Sequence, residues 1–293
     1  MISNKIEFRK IREFGEVIND TFTFIRQNLK SLLKAFLYLC GFFILAGLIA
    51  TLMNQLALKD VIFQSNGYGY GRRFESLFTL NYLFAAIFGI LNYTAITVTV
   101  MSYIALYIDK GNVAPSVNEV WAYFKYYFFR ALVGTILVAL FTVICFVCCI
   151  IPGIYVFPAM SLFFPSMIFE NASAGYSFSR SFKLIKEQWW ITAATLLVVW
   201  LITYVCTFFV SLPAMVLGFV SAFTQGAKGI TTATLVVSSI LQYLCQVLFI
   251  IPLVASSFCY FNLRERQEST GLLERIDSFG KPKEHLDPES EDY

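Results

Sequence analysis

Phe129 to Phe169 reads FRALVGTILVALFTVICFVCCIIPGIYVFPAMSLFFPSMIF, an apolar run whose only charge, Arg130, stands at its start. A helix rises about 1.5 Å per residue and a bilayer offers roughly 30 Å of hydrocarbon, so the run is too long for a single span. Pro152 and Gly153 fall near its middle, where the chain is expected to reverse. The reading is a tight hairpin of two spans, Phe129–Ile151 and Ile154–Phe169. Pro158 and Pro165 make its second arm irregular, because each removes a backbone donor that lipid cannot replace.

Working outward, four more apolar runs are long enough to cross: Phe36–Met53, Leu77–Ile108, Trp189–Phe223 and Ile230–Phe261. Pro213 and Pro252 are the expected kinks of the last two. Over the 293 residues, 58% are hydrophobic and 14% charged, against about 25% charged in an average soluble domain. That excludes a soluble enzyme, a disulfide scaffold and a disordered chain. A net charge of +3 is too small and dispersed for nucleic-acid binding. The fold class is all-α, a polytopic membrane helix bundle of six spans. It divides into a cytoplasmic amphipathic interfacial helix (1–34), a six-span membrane domain (35–263) and a cytoplasmic polar tail (264–293).

Orientation follows from the basic residues. With the N-terminus inside, 18 Lys and Arg lie in inside segments and 4 (Lys59, Arg72, Arg73, Lys228) outside. This positive-inside bias puts both termini in the cytoplasm of a cell membrane, a bacterial inner membrane on the resemblance described below. The basic stretch before Phe36 is too long for the n-region of a cleaved signal peptide, so the first span is expected to be retained.

The inside segments carry a pattern of their own. Phe8, Ile11, Phe14, Ile18, Phe22, Ile25, Leu29 and Leu32 recur every three or four residues. Lys5 to Lys30 should therefore be a helix on the inner leaflet, with Ile11, Ile18 and Ile25 shielded and Arg12, Asn19 and Arg26 in water. Weaker versions precede the third span (Val117, Val120, Phe124, Tyr127) and the fifth (Ala174, Phe178, Phe182, Ile185). The chain reads as three copies of an interfacial helix followed by a transmembrane hairpin. The alternative is that any inside loop before a span is basic and aromatic.

REFGEVINDTFTFIRQNLKSL (Arg12–Leu32), IPGIYVFPAMSLFFPSMIFE (Ile151–Glu170), SFSRSFKLIKEQWW (Ser177–Trp190) and FNLRERQE (from Phe261) together resemble the membrane domain of glycerophosphoryl diester phosphodiesterase. This bacterial multi-pass family also occurs as stand-alone proteins. Two-domain members carry a soluble catalytic barrel after the membrane part. Only about 30 residues follow the last span here, so the resemblance implies a membrane bundle without the phosphodiesterase activity.

Intramembrane chemistry is sparse. By these spans no Asp, Glu, Lys or Arg lies in the hydrocarbon except Arg130, which snorkels to the interface, and this argues against an ion-coupled pump. The single histidine, His285, is in the tail, so no catalytic dyad, cofactor or metal site is expected. Cys40, Cys145, Cys148, Cys149, Cys206, Cys245 and Cys259 all fall in apolar spans and read as packing residues. The YGYGRR glycines Gly67, Gly69 and Gly71 read as an outside loop, and the sequons at Asn19, Asn92 and Asn171 as chance. The small-residue ridge Ala214, Gly218, Ala222 reads as helix packing. In the tail, Leu272, Leu273, Ile276 and Phe279 form a short apolar set that could dock a partner.

One polar set remains. Ser238, Gln242 and Gln246 recur every four residues in the sixth span, and Asn92 lies mid-span in the second. Buried amides seek partners, so these residues are either helix glue or, with the irregular backbone at Pro158 and Pro165, the lining of a polar cavity. The expected function is a non-catalytic scaffold or accessory subunit. Its partners are membrane lipids and a protein bound through the cytoplasmic helices or tail, with no nucleic acid. The alternative is a carrier or channel for a lipid-like or uncharged solute.

Overall fold

The computed structural model describes residues 5–64, 80–148, 150–225 and 232–269. Among the described residues all regular secondary structure is helical, and six helices are long and apolar enough to cross a membrane: Phe14–Ala57, Leu80–Asp109, Val117–Cys148, Ile150–Phe169, Trp189–Ser221 and Thr232–Glu268. The protein is an all-α polytopic membrane bundle. Its elements are α1 (Phe14–Gln64), α2 (Leu80–Asp109), α3 (Val117–Cys148), α4 (Ile150–Ser161), α5 (Phe163–Phe169), α6 (Ala174–Ile185), α7 (Trp189–Gln225) and α8 (Thr232–Leu244). A 3₁₀ turn (Cys245–Phe249) then leads into α9 (Ile250–Glu268).

Helix α2 is the axis, packed on α1, α3, α5 and α9. From Thr94 to Tyr107 every residue is buried. Its hydroxyls avoid isolation by bonding close by, as lipid demands: Thr94 Oγ1 lies 2.8 Å from Ile90 O and 3.0 Å from Thr135 Oγ1, and Thr97 Oγ1 donates to Tyr93 O at 2.9 Å. The turn into α3 is written locally. Gly111 and Asn112 take positive φ (66° and 65°), and Asn112 N donates to Tyr107 O at 2.9 Å, closing the carboxyl end of α2. Pro115 follows, and Ser116 with Glu119 forms a capping box, Ser116 N donating to Glu119 Oε2 at 2.8 Å.

The proline-bearing spans differ. The fourth is interrupted at Leu162, between α4 with Pro158 and α5 with Pro165. The sixth narrows to the 3₁₀ turn just ahead of Pro252, which has no N–H for the carbonyl four residues back. Pro213 does not interrupt α7, contrary to the kink expected there. The hairpin needs its glycines: a Cβ on Gly153 would stand 2.5 Å from Phe146 Cδ1, and one on Gly134 would stand 2.8 Å from Phe163 Cε1. Gly218 of the small-residue ridge faces Thr234 of α8 less closely, an added Cβ standing at an ordinary contact distance of 4.0 Å.

The amino-terminal region departs from expectation in two ways. Residues 5–13 are not helical, and α1 runs unbroken from Phe14 through the first span, so the boundary at 34/35 falls inside one helix. The helix buries Val17, Thr21, Phe24, Asn28, Leu32 and Ala35 against the bundle and leaves Phe14, Phe22 and Leu29 uncovered by protein, as is Ile11 just ahead of it. Asn19 and Arg26 are exposed as expected, but Arg12 is not in water: it is 2% exposed. The helix before the third span is likewise the first part of α3, and only α6 is separate from the span it precedes. The YGYGRR loop, Cys149, His285 and the tail from Thr270 onward lie outside the described residues.

Candidate functional site: a charged clasp and an apolar cavity

The charged end of the bundle is knitted together by the last helix. Arg12 donates through Nε to Asp20 Oδ2 at 2.8 Å, through Nη1 to Phe8 O at 2.8 Å and Lys10 O at 3.1 Å, and through Nη2 to Glu7 O. Its guanidinium lies 4.7 Å from the centre of the Phe258 ring, against which Phe8 stacks at 4.3 Å. The Arg12 amide donates to Asn262 Oδ1 at 2.8 Å, and Arg266 Nη2 returns a bond to Arg12 O at 3.1 Å. A guanidinium so fully engaged is a structural staple rather than a ligand group. Because residues 12 and 262 meet, the two ends of the described chain lie at one end of the bundle.

Beside it lies a second group. Arg180 of α6 donates to Glu170 Oε1 at 3.0 Å and to Glu268, Arg264 reaches Glu268 Oε2 at 2.9 Å, and the Tyr260 hydroxyl donates to Glu170 Oε1 at 2.6 Å. Burial opposes the charge of Arg180, but its bonds to Glu268 and Glu170 prevail and carry its pKa above the ordinary arginine value. Arg12, Glu170, Arg180 and Arg264 come from the four separate stretches Arg12–Leu32, Ile151–Glu170, Ser177–Trp190 and Phe261 onward, and fold into adjoining clusters.

A half-open cavity of about 560 Å³ lies between the helices away from these charges, with Tyr93, Val143 and Phe157 of its wall exposed at the protein surface. Helix α2 lines it with Gly89, Ile90 and Tyr93, α3 with Thr135, Val138 and Thr142, α4 and α5 with Phe157, Ser161 and Phe164. Trp200 of α7 and Phe249, Pro252 and Ser256 of the last span complete it. Three of its hydroxyls bond within their own helices: Ser161 Oγ donates to Pro158 O at 2.7 Å, Ser256 Oγ to Leu253 O at 2.8 Å and Thr135 Oγ1 to Ala131 O at 2.9 Å. The lining therefore offers hydrocarbon and aromatic surface and little free hydrogen-bonding capacity.

The polar residues singled out from the sequence lie elsewhere. Asn92 and Gln246 are brought together, Asn92 Nδ2 donating to Gln246 Oε1, while Asn92 Oδ1 has no partner among the described residues. Gln242 is exposed on the outside of α8, and Ser238 Oγ donates to Leu235 O at 2.9 Å. Pro158 and Pro165 are buried, each next in sequence to a phenylalanine, Phe157 or Phe164, that lines the cavity. None of these six lines the cavity.

Trp200 was missed in the sequence, though a signal was there. Membrane tryptophans gather at the interfaces, as Trp189 and Trp190 do by their position, whereas Trp200 lies a further ten residues into its span. Among the described residues no group of His, Cys, Asp and Glu could hold a metal. Comparison with known proteins finds no matching family model, no matching curated protein and no matching solved structure.

Proposed function

We propose that this membrane protein binds the hydrocarbon portion of a lipid-like solute inside the bundle, as a carrier or a lipid-dependent accessory subunit without catalytic activity of its own. The observation that carries the reading is the cavity: about 560 Å³ lies within the range of small-molecule sites, and its lining suits a chain better than a polar solute. Each methylene moved out of water into such a lining gains about 0.8 kcal/mol, but a lipid chain is already in hydrocarbon, so selectivity here rests on packing. A through-channel fits less well, because the end that holds Phe8, Phe24, Tyr103 and Phe258 is densely filled.

A second reading, a scaffold for a partner protein, draws on the uncovered strip of Ile11, Phe14, Phe22 and Leu29. The kinship with the phosphodiesterase membrane domain is part of this proposal and fits either reading. The cytoplasmic placement of both termini is likewise proposed from the basic residues.

The test uses Gly89, which lines the cavity and whose added Cβ would meet nothing within 4 Å. Gly89→Phe should fill the space without disturbing the fold. Lipids extracted from wild type and variant purified in mild detergent are compared by mass spectrometry at matched thermal stability. Loss of a co-purifying lipid in Gly89→Phe is expected; identical lipid content in both would refute cavity binding.

A further inference from the structure

We propose that Trp200 is the latch of the cavity, holding two proline-broken helices together and setting the rate at which a hydrocarbon chain enters and leaves. The inference rests on the lipid-binding reading above. Trp200 lines the cavity from α7, and its ring meets Phe157 at 6.3 Å and Phe249 at 5.9 Å between centroids. Phe157 directly precedes Pro158 in α4, and Phe249 closes the 3₁₀ turn that runs up to Pro252. One indole thus bridges the two spans whose helices are interrupted.

The mechanics follow from the backbone. A helix with an unbroken ladder of i to i−4 bonds moves as a rod, whereas one that is interrupted, as the fourth span is at Leu162 and the sixth at Cys245–Phe249, bends there at small cost. Two walls of the cavity are therefore compliant. The third, α7, passes Pro213 without interruption and presents Trp200 from a continuous helix. The contacts between the walls at this point are ring against ring, so parting them strands no charge and needs no water. A chain can be admitted when Phe157 and Phe249 swing away from the indole, and it is retained when they return.

The experiment follows 12-(1-pyrenyl)dodecanoic acid bound to the full-length protein in detergent, its release timed by pyrene emission after mixing with excess palmitic acid. Trp200→Ala should speed release about tenfold, since two ring contacts are lost, and Trp200→Phe should fall between it and wild type. Pro252→Ala, which restores a donor at the break, should slow release, and Pro213→Ala should leave it unchanged. If Trp200→Ala and Pro252→Ala both release the probe at the wild-type rate, the latch is wrong and the cavity reading stands. If wild type does not take up the probe, or Gly89→Phe takes it up equally well, the cavity reading fails and the latch fails with it.

Discussion

The two halves of the bundle are built from the same kinds of residue and packed to opposite ends. Toward the charged end, Phe8, Phe24, Tyr107, Phe258 and Phe261 form one aromatic cluster, with ring centroids 4.3 to 6.1 Å from Phe8 to its partners. In the remote half, Phe157 and Phe249 each meet Trp200 and with it line open space, and Leu80 to Ile90 of α2 carry no buried residue. Composition does not make this difference. Irregular backbone does: the breaks at Leu162 and Cys245–Phe249 lie in the second region, and the helices that converge on Arg12 and Arg180 are held by fixed hydrogen bonds in the first. A membrane bundle gains little from hydrophobicity alone, because lipid tails are as apolar as its side chains, so good packing and polar clasps must hold it together. The region that lacks them is free to be a site.

The sharpest way to break the comparison is to cut one ring from each half. Phe258 is fully buried and takes part in both the Phe8 stack and the Arg12 contact, so Phe258→Ala should destabilise by about 3 kcal/mol, the low end for a buried phenylalanine. Phe249→Ala, at the cavity wall, should lose less, about 1 kcal/mol, because the ring is only partly covered by protein. Thermal unfolding in detergent measures both. Equal losses would mean that the halves are equally packed.

Removing a charge from the clasp should come next. Arg180→Ala leaves Glu170 and Glu268 without the donor they share, at side-chain exposures of 13% and 33%. A fully buried pair would lose 3–5 kcal/mol on such a cut; partial exposure brings the expectation to about 2 kcal/mol. Arg180→Lys should recover only part, since an ammonium does not reproduce the fork that reaches two carboxylates. If Arg180→Lys were as stable as wild type, the clasp would be a matter of charge alone.

A smaller contrast is offered by two glycines. Gly134→Ala would push its Cβ against Phe163 and Met167, at 2.8 and 2.9 Å, and overpacking of this kind destabilises by about 1–3 kcal/mol. Gly89→Ala meets open space and should be neutral or slightly stabilising through its helix propensity. Reversal of that order would mean that Gly89 does not face open space.

How much of this was legible in the sequence depends on the range of the interaction. Span number and the broken fourth span follow from hydropathy and proline, which act within one segment. So does the break before Pro252. Burial of Arg12 was not legible: its spacing puts it on the polar face of an amphipathic pattern, and the groups that cover it, Phe258 and Asn262, are some 250 residues away. The cavity was not legible either, since Val138 or Phe164 beside a void reads the same as Val100 or Phe36 in the packed core. The polar stripe on the sixth span reads as one feature, but the fold gives its two glutamines different surroundings, Gln246 meeting Asn92 and Gln242 lying exposed.

That difference yields the smallest and most discriminating expectation. Equal spacing of Ser238, Gln242 and Gln246 would make the two glutamines act together, whereas the structure gives Gln246 a partner in Asn92 and turns Gln242 outward. An interhelical bond of this kind is worth about 0.6 kcal/mol on average in a membrane bundle. Gln246→Leu should lose about that much or slightly more, because it strands the Asn92 amide, whose Oδ1 already lacks a partner among the described residues. Asn92→Leu with Gln246→Leu should be less damaging than the sum of the single changes, since no buried amide is then left unpaired. Gln242→Leu should be neutral. A double-mutant cycle on thermal stability reads the coupling directly. A loss at Gln242 as large as that at Gln246, or no coupling between Asn92 and Gln246, would mean that the two glutamines act as one polar face of the last span rather than one as a partner of Asn92 and the other as an exposed residue.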